Sequence, residues 1–212
     1  SKIQSLKNGN KKTVIKKLFL TAAVAVSSLT FAQQFGAKAG MNVSTISDEG
    51  FDDTKSKVGY YAGVFMNVPV SESFSIQPEV LYNNLGSKVS STVSGTTYSS
   101  TLNLDYVAVP VMFQYKATPQ FYLEAGPEFG FLVNAKQKFD NGSSSIVTEL
   151  DKEDFNSFNM GVGLGLGFDI SKNVGLNARY VAGFSDITKE SGPAADAKNK
   201  NNAFQVGLNI KF

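Results

Sequence analysis

The chain has 212 residues and contains no cysteine, no histidine and no tryptophan. Without cysteine it forms no disulfide and offers no thiol for catalysis. Without histidine it has no Ser–His–Asp triad and no histidine-ligated zinc. We therefore expect a protein that is not an enzyme and that binds no cofactor.

A long apolar run is also missing. The run at residues 18–26 is shorter than the about 20 residues that a spanning helix needs. A basic segment with four lysines comes directly before it, and small residues follow it up to Ala32. This order predicts a cleaved secretory signal peptide over residues 1–32 and one domain over residues 33–212. The alternative, an N-terminal membrane anchor, would need a longer apolar run.

The positive net charge of the whole chain, +2, originates in that first segment. Residues 1–32 hold six of the 20 basic residues and no acidic residue, which leaves 14 basic against 18 acidic residues in the remainder. A domain with an acidic balance has no electrostatic footprint for phosphates. We therefore expect no nucleic acid among its partners.

After residue 33 the sequence contains repeated segments in which apolar and polar residues alternate. At residues 158–170, for example, apolar side chains alternate with asparagine, four glycines and aspartate. A period of two predicts a β-strand with one apolar and one polar face, and each segment has about the 9–11 residues that a tilted strand needs to cross a bilayer. We predict eight strands, at residues 34–43, 58–68, 74–83, 103–116, 121–132, 158–170, 174–184 and 203–212.

Short and long connections alternate between the predicted strands. The short ones are residues 69–73, 117–120 and 171–173, and the long, polar ones are residues 44–57, 84–102, 133–157 and 185–202. This alternation is typical of the periplasmic turns and extracellular loops of outer-membrane barrels. The sequence therefore predicts an all-β fold, an eight-stranded antiparallel up-and-down transmembrane β-barrel, in the outer membrane of a Gram-negative bacterium.

The polar face of the strands separates this fold from a soluble β-sandwich, whose inner face would be bulky and apolar. Here the face opposite the apolar one is rich in glycine, asparagine and charge. The glycines of residues 161–167 have period two and no helix after them, which excludes a nucleotide loop. We expect them to line a narrow interior in which Tyr61 and Phe65 fill the space that they leave. A barrel of this size also has room for one small ligand.

The chain ends on a pattern formed by Gln205, Gly207, Ile210 and Phe212. It resembles the C-terminal signal of bacterial outer-membrane β-barrels. The resemblance implies that the barrel-assembly machinery is a partner during insertion, and that the last strand then closes the barrel against the first.

The middle strands resemble the outer-membrane β-barrel family of Bacteroidetes that includes PorT-like proteins. The resemblance spans most of the chain after residue 33, and Gln77-Pro78-Glu79 and Glu124-Ala125-Gly126-Pro127 are its most specific parts. Many members carry a glutamate where this chain has Ala108. The resemblance implies a fold but no single activity, because its members share none.

The alternation of apolar and polar residues places four charged side chains on the inward face of their strands. They are Glu79, Glu124, Glu128 and Arg179, which is the only arginine of the chain. Glu79 and Arg179 each lie five residues from the start of their strand, and those strands face each other across an eight-stranded barrel. The two side chains are therefore expected at the same depth. Since an unpaired buried charge is costly, we expect a structural polar cluster inside the barrel; a polar relay or a ligand anchor is the alternative.

The predicted loops hold the remaining candidates for binding. Acidic residues cluster at residues 48–53 and 151–154, without the spacing of a calcium loop, and Asn141-Gly142-Ser143 fits a turn better than a glycosylation site. We expect a non-enzymatic barrel with four surface loops and a structural or interaction role at the cell surface. Its partners would be membrane lipid and proteins at the loops or periplasmic turns. The alternatives are an accessory subunit of a secretion or transport complex and a barrel that holds one small ligand.

Overall fold

The computed structural model describes residues 33–48, 55–151, 157–186 and 199–212. The residues predicted as a signal peptide lie outside these ranges. Nine strands are present in them: β1 (Gln34–Asp48), β2 (Lys55–Pro69), β3 (Phe74–Val93), β4 (Thr96–Lys116), β5 (Phe121–Asp140), β6 (Ser145–Glu149), β7 (Phe158–Asp169), β8 (Val174–Asp186) and β9 (Asn199–Lys211). Across the described part of the chain, none of the helices is both long and apolar enough to span a membrane.

All strand pairs are antiparallel, and the pairings form a closed ring. Consecutive neighbours run β1, β2, β3, β4, β5, β7, β8 and β9, and β9 returns to β1. In the described residues, β6 pairs with β5 alone. Each ring strand has a neighbour on both sides, so within the ring the sheet has no open edge.

Each of the eight predicted strands coincides with a strand of the ring, but the total of nine differs from the prediction. The extra strand, β6, lies in the predicted loop 133–157. The predicted loop 84–102 is likewise a hairpin, in which β3 and β4 continue to a tight turn at Ser94 and Gly95 with φ of 50° and 82°. Positive φ at both central residues is the geometry of hairpin turns that suit the twist of strands. These regions are largely exposed on both faces, so they lack the alternation that identified the other strands.

The side chains of the ring are arranged with polar groups inside and apolar groups outside. Large apolar side chains on the outer face are about half exposed, for example Phe113 (55%), Leu164 (59%) and Leu208 (48%). Lysine, glutamate, asparagine and arginine side chains are buried inside, and Arg179 is only 1% exposed. This is the reverse of a water-soluble protein and is the arrangement of a membrane barrel.

Buried apolar residues form two clusters in the interior, and the smaller one consists of Tyr61, Leu81 and Ala108. Leu104, Tyr106 and Ala203 belong to one buried cluster near the end that carries the β3–β4 hairpin. Between this cluster and the short turns at the other end, the interior is filled mainly by polar side chains.

Candidate functional site in the ring interior

A cluster of four charged side chains lies in the middle of the interior. The Arg179 guanidinium donates through Nη1 and Nη2 to the two Glu79 carboxylate oxygens, both at 2.8 Å, and through Nε to Glu124 Oε1, also at 2.8 Å. Lys38 Nζ donates to Glu79 Oε1 at 3.1 Å. All four side chains are at most 4% exposed. We call Lys38, Glu79, Glu124 and Arg179 the charge cluster.

The charge cluster is balanced, with two cations and two carboxylates. The fork of Arg179 matches the carboxylate of Glu79, a bidentate geometry that is among the stronger hydrogen-bonded pairs in proteins. The partners come from β8 and β3, on facing walls of the ring. The cluster therefore connects opposite walls, and removal of one member leaves a buried charge without compensation.

Lys38 is the member that the sequence prediction did not include. Lys38 falls on the inward face of the predicted strand 34–43, which indicated a buried position. An alternating pattern does not show, however, which inward charges contact one another. Glu128 is the reverse case. It was predicted with the cluster, yet the structure gives it no hydrogen bond to Arg179, and its Oε2 atom has no partner.

A network of amides extends the charge cluster toward the short turns. Gln77 donates to Glu79 Oε1 at 2.8 Å and Gln114 donates to Glu124 Oε2 at 3.0 Å. The Asn67 side-chain amide in turn donates to Gln77 Oε1 at 3.0 Å and to Gln114 Oε1 at 2.9 Å. The amide network follows one wall of the ring, from β2 to β5, and Arg179 joins it to the opposite wall, so hydrogen-bonded side chains fill this half of the interior.

The aromatic residues fill different spaces from those predicted. Phe65 lies against Gly36, and Tyr61 lies against Gly40 and Gly207, on β1 and β9. In β7, Gly163 instead lies against the Met112 side chain, and a Cβ added at Gly167 would lie 2.1 Å from the Tyr122 ring. The prediction of a narrow, glycine-lined interior agrees with these contacts, but the predicted partners of the β7 glycines were wrong.

A cavity of about 50 Å³ lies between the charge cluster and the larger apolar cluster. Glu128, Asn83, Tyr106 and Asn159 line it with polar atoms. Gln205 also lines it, and the remaining wall is formed by apolar side chains and glycines. The cavity is therefore lined by both polar and apolar groups.

The residues of the proposed C-terminal signal are divided between the two faces of β9. Gln205 is buried and donates to Asn83 Oδ1 at 3.4 Å, and Gly207 lies close to Tyr61. Ile210 and Phe212 are exposed on the outer face. Phe212 N donates to Phe35 O at 2.9 Å, which adds to the pairing between β9 and β1.

Metal binding has little support in the described ranges. No group of three or more acidic, histidine or cysteine side chains with the geometry to hold an ion occurs within them. Most of the acidic residues at 48–53 and 151–154 have side chains that lie outside the described set. The Asn141 side chain accepts hydrogen bonds from the backbone N–H groups of Ser143 and Ser144, at 3.0 and 2.8 Å, as expected for a turn.

One part of the sheet continues past the ring at the hairpin end. We call it the extension sheet, formed by residues 86–93, 96–103, 134–140 and 145–149. Beyond Leu132, β5 no longer pairs with β7 and pairs with β6 instead. The extension sheet carries exposed apolar side chains, which are Val89, Val93, Tyr98, Phe139, Ile146 and Val147.

The comparisons with known proteins agree with this architecture. A sequence profile described as the outer membrane protein beta-barrel domain matches residues 31–189, whereas no curated protein matches the chain. Among solved structures, Ail, the attachment invasion locus protein of Yersinia pestis, is 14% identical with a TM-score of 0.51, and the match covers 86% of this chain and 100% of Ail. Neisserial surface protein A is 11% identical with a TM-score of 0.48, over 85% of this chain and 99% of its own. At these identities the likeness concerns the fold alone.

Proposed function

The chain belongs to the outer membrane protein beta-barrel domain family and is located in the outer membrane, and on that premise we propose that it is a non-enzymatic interaction protein at the cell surface. It spans the membrane as an eight-stranded barrel made of the ring strands. The extension sheet, including β6, is the part that contacts partners outside the cell.

The lengths of the strands support this arrangement in the membrane. β7 has 12 residues, close to the about 9–11 that a tilted strand needs, whereas β3 and β4 have 20 and 21 residues. The excess in β3 and β4 lies entirely at the hairpin end. The hairpin end therefore faces outward, and the short turns face the periplasm.

The observation that carries the proposal is the open edge of β6 within the described residues. All five residues of β6 are exposed, and the strand contains neither proline nor lysine. An edge strand of this kind is a template for another strand, and proteins commonly protect it. Where it is left open, it can bind an extended peptide by strand addition.

The register shows which backbone groups of β6 are available. Leu150 N donates to Ala135 O at 3.0 Å, and Asn141 N donates to Ser144 O at 3.2 Å. In an antiparallel pair, hydrogen-bonded positions alternate, so the N–H groups of Ile146 and Thr148 face β5. The N–H group of Val147 then points away from β5, where no described strand pairs with it, and an added strand can accept its hydrogen bond.

A proline at position 147 tests this role. A photo-cross-linking amino acid placed at Ile146 is expected to give a discrete adduct of higher mass on intact cells. Val147→Pro should abolish the adduct, because it removes an N–H that β5 does not use, whereas Val147→Thr should retain it. Proline is tolerated at an edge position, so the barrel should assemble in both variants. The proposal fails if no adduct forms, or if the proline and threonine variants behave alike.

The second candidate function is that of an accessory subunit in a secretion or transport complex, as the PorT-like resemblance implies. A cross-linker at Lys172, in the exposed turn between β7 and β8, distinguishes the accessory function from the surface function. Adducts at Lys172 together with co-purification of large partners in mild detergent would favour the accessory function. Adducts only at Ile146 would favour the surface function.

Assembly involves two further partners under this proposal. Membrane lipid covers the apolar outer face, and the barrel-assembly machinery reads the pattern of Gln205, Gly207, Ile210 and Phe212. The pairing of β9 with β1 supports this step, since it is the contact that closes the ring.

A further inference from the structure

The cavity beside Glu128 collects buried polar atoms that have no hydrogen-bond partner. Among the described residues six such side-chain atoms exist, and four of them line this cavity: Asn83 Nδ2, Tyr106 Oη, Glu128 Oε2 and Asn159 Oδ1. Asn83, Tyr106 and Glu128 are 1%, 2% and 8% exposed. The Tyr106 hydroxyl lies close enough to the Asn159 side-chain amide to interact with it.

Orphan buried atoms are costly, and natural proteins keep few of them. Their concentration at one cavity indicates a partner there, either water or a ligand. The four atoms also define the chemistry of that partner. Three of them, on Tyr106, Glu128 and Asn159, can accept hydrogen bonds, and the amide nitrogen of Asn83 donates one.

The charge of the interior specifies the partner further. Lys38 and Arg179 are engaged by Glu79 and Glu124. Glu128 is then the one interior carboxylate of this group without a hydrogen-bonded cation. A buried carboxyl group is stable when it is protonated or when it is paired with a cation, so among charged ligands a cation suits the cavity better than an anion does.

The remaining walls suit a short apolar segment. Leu85, Val181 and Ala203 line the cavity beside the polar atoms. A bare metal ion would gain nothing from these side chains, whereas a carbon chain would be covered by them. A cavity of about 50 Å³ has room for roughly four water-sized groups.

Gly130 contributes to this space. A Cβ added there would come no closer than 3.5 Å to any atom, and its nearest neighbours would be the cavity residues Tyr106 and Asn159. At Gly167, by contrast, an added Cβ would collide with Tyr122. The ring interior beside Gly130 therefore has unfilled space that a small ligand can occupy.

We propose that this cavity is a binding site for a small primary ammonium compound that also carries a hydroxyl group, with about four non-hydrogen atoms. The ammonium group donates its three hydrogen bonds to Glu128, Asn159 and Tyr106. The hydroxyl oxygen accepts from Asn83, and the carbon chain lies against the apolar wall. This site is independent of the extension sheet and does not depend on the surface role.

Ethanolamine is the probe that tests the proposal. Isotope-labelled protein in phosphatidylcholine nanodiscs is titrated while the amide NMR signals of Gly130, Gly161 and Gly183 are followed. Saturable shifts are expected with ethanolamine. Ethylene glycol, in which a hydroxyl replaces the ammonium group, should bind at least about tenfold more weakly, because a charge-assisted hydrogen bond is about twice as strong as a neutral one.

Two variants and one control assign the site. Glu128→Gln keeps the shape and removes the charge, so ethanolamine affinity should fall about tenfold or more. Gly130→Ala places a methyl group in the cavity without a clash and should also weaken binding. Glu72→Gln removes a carboxylate from an exposed turn and should leave the affinity unchanged. If Glu128→Gln does not assemble, Gly130→Ala alone decides.

The source of the ammonium group is distinguished by a second set of nanodiscs. In phosphatidylethanolamine the hydroxyl oxygen is esterified to phosphate but can still accept from Asn83, so a head group that enters the cavity would shift the same glycine signals without added ethanolamine. If only the free compound binds, the shifts appear only on titration. The proposal is overturned if ethanolamine gives no saturable shift in either bilayer, if ethylene glycol binds equally well, or if neither variant weakens binding.

Discussion

Arg179→Met is expected to destabilise the barrel by about 3–5 kcal/mol, the cost of breaking a buried ion pair by removing one partner. The variant leaves Glu79 and Glu124, which are 1% and 4% exposed, with only Lys38 as a nearby cation. Because the chain has no tryptophan, unfolding in urea is better followed by circular dichroism and by the mobility difference between unboiled and boiled protein on a gel.

The double variant Arg179→Met/Glu79→Gln shows whether the two residues act together. It leaves Lys38 and Glu124, one charge of each sign, so much of the lost stability should return. Glu79→Gln alone should also destabilise, since it leaves Arg179 with fewer acceptors. Effects that simply add would show that the two side chains do not interact, which would contradict the contacts of the charge cluster.

Leu164→Arg is expected to have the second large effect. Leu164 lies in the middle of β7 on the outer face and is 59% exposed. In a bilayer that face meets hydrocarbon, and an arginine at mid-depth costs about 2–4 kcal/mol. Insertion into bilayers, measured by protection from protease and by the fraction of heat-modifiable protein, should therefore decrease.

The matched control is Tyr98→Arg on the extension sheet. Tyr98 is 50% exposed, so the two positions are almost equally accessible in the folded chain. Under the proposed orientation Tyr98 meets water, and its replacement should change insertion little. Equal losses for the two variants would mean that both sites meet the same solvent, which is incompatible with a membrane boundary between them.

The ring strands could be predicted from the sequence because water and lipid act on opposite faces of each strand. β7 is the clearest example, since its apolar residues alternate with glycines along nearly the whole strand. The same physics explains the failure at β6 and at the β3–β4 hairpin. Both faces of those segments are exposed, so no period of two was imposed on their residues.

The orientation of the site and its pair of Glu79 with Arg179 were predictable, but its remaining membership was not. Counting residues from the strand starts placed Glu79 and Arg179 at one depth, and the structure brings them into contact. The inclusion of Lys38 and the separation of Glu128 depend on the tilt and register of several strands. Those quantities follow from closure of the whole ring, which local alternation does not encode. The cavity at Gly130 depends in the same way on which large side chains are absent nearby.

The central claim is that one chain presents its extension sheet outside the cell, its outer face to lipid and its short turns to the periplasm. Because the chain has no cysteine, single cysteines report on each region without background. The variants Val147→Cys, Leu164→Cys and Lys172→Cys are treated on intact cells with a membrane-impermeant maleimide, and again after the outer membrane is permeabilised. The account predicts labelling at position 147 on intact cells, at position 172 only after permeabilisation, and at position 164 only after unfolding. Labelling of position 172 but not position 147 on intact cells would reverse the orientation, and ready labelling of position 164 in the folded protein would contradict the membrane-spanning barrel itself.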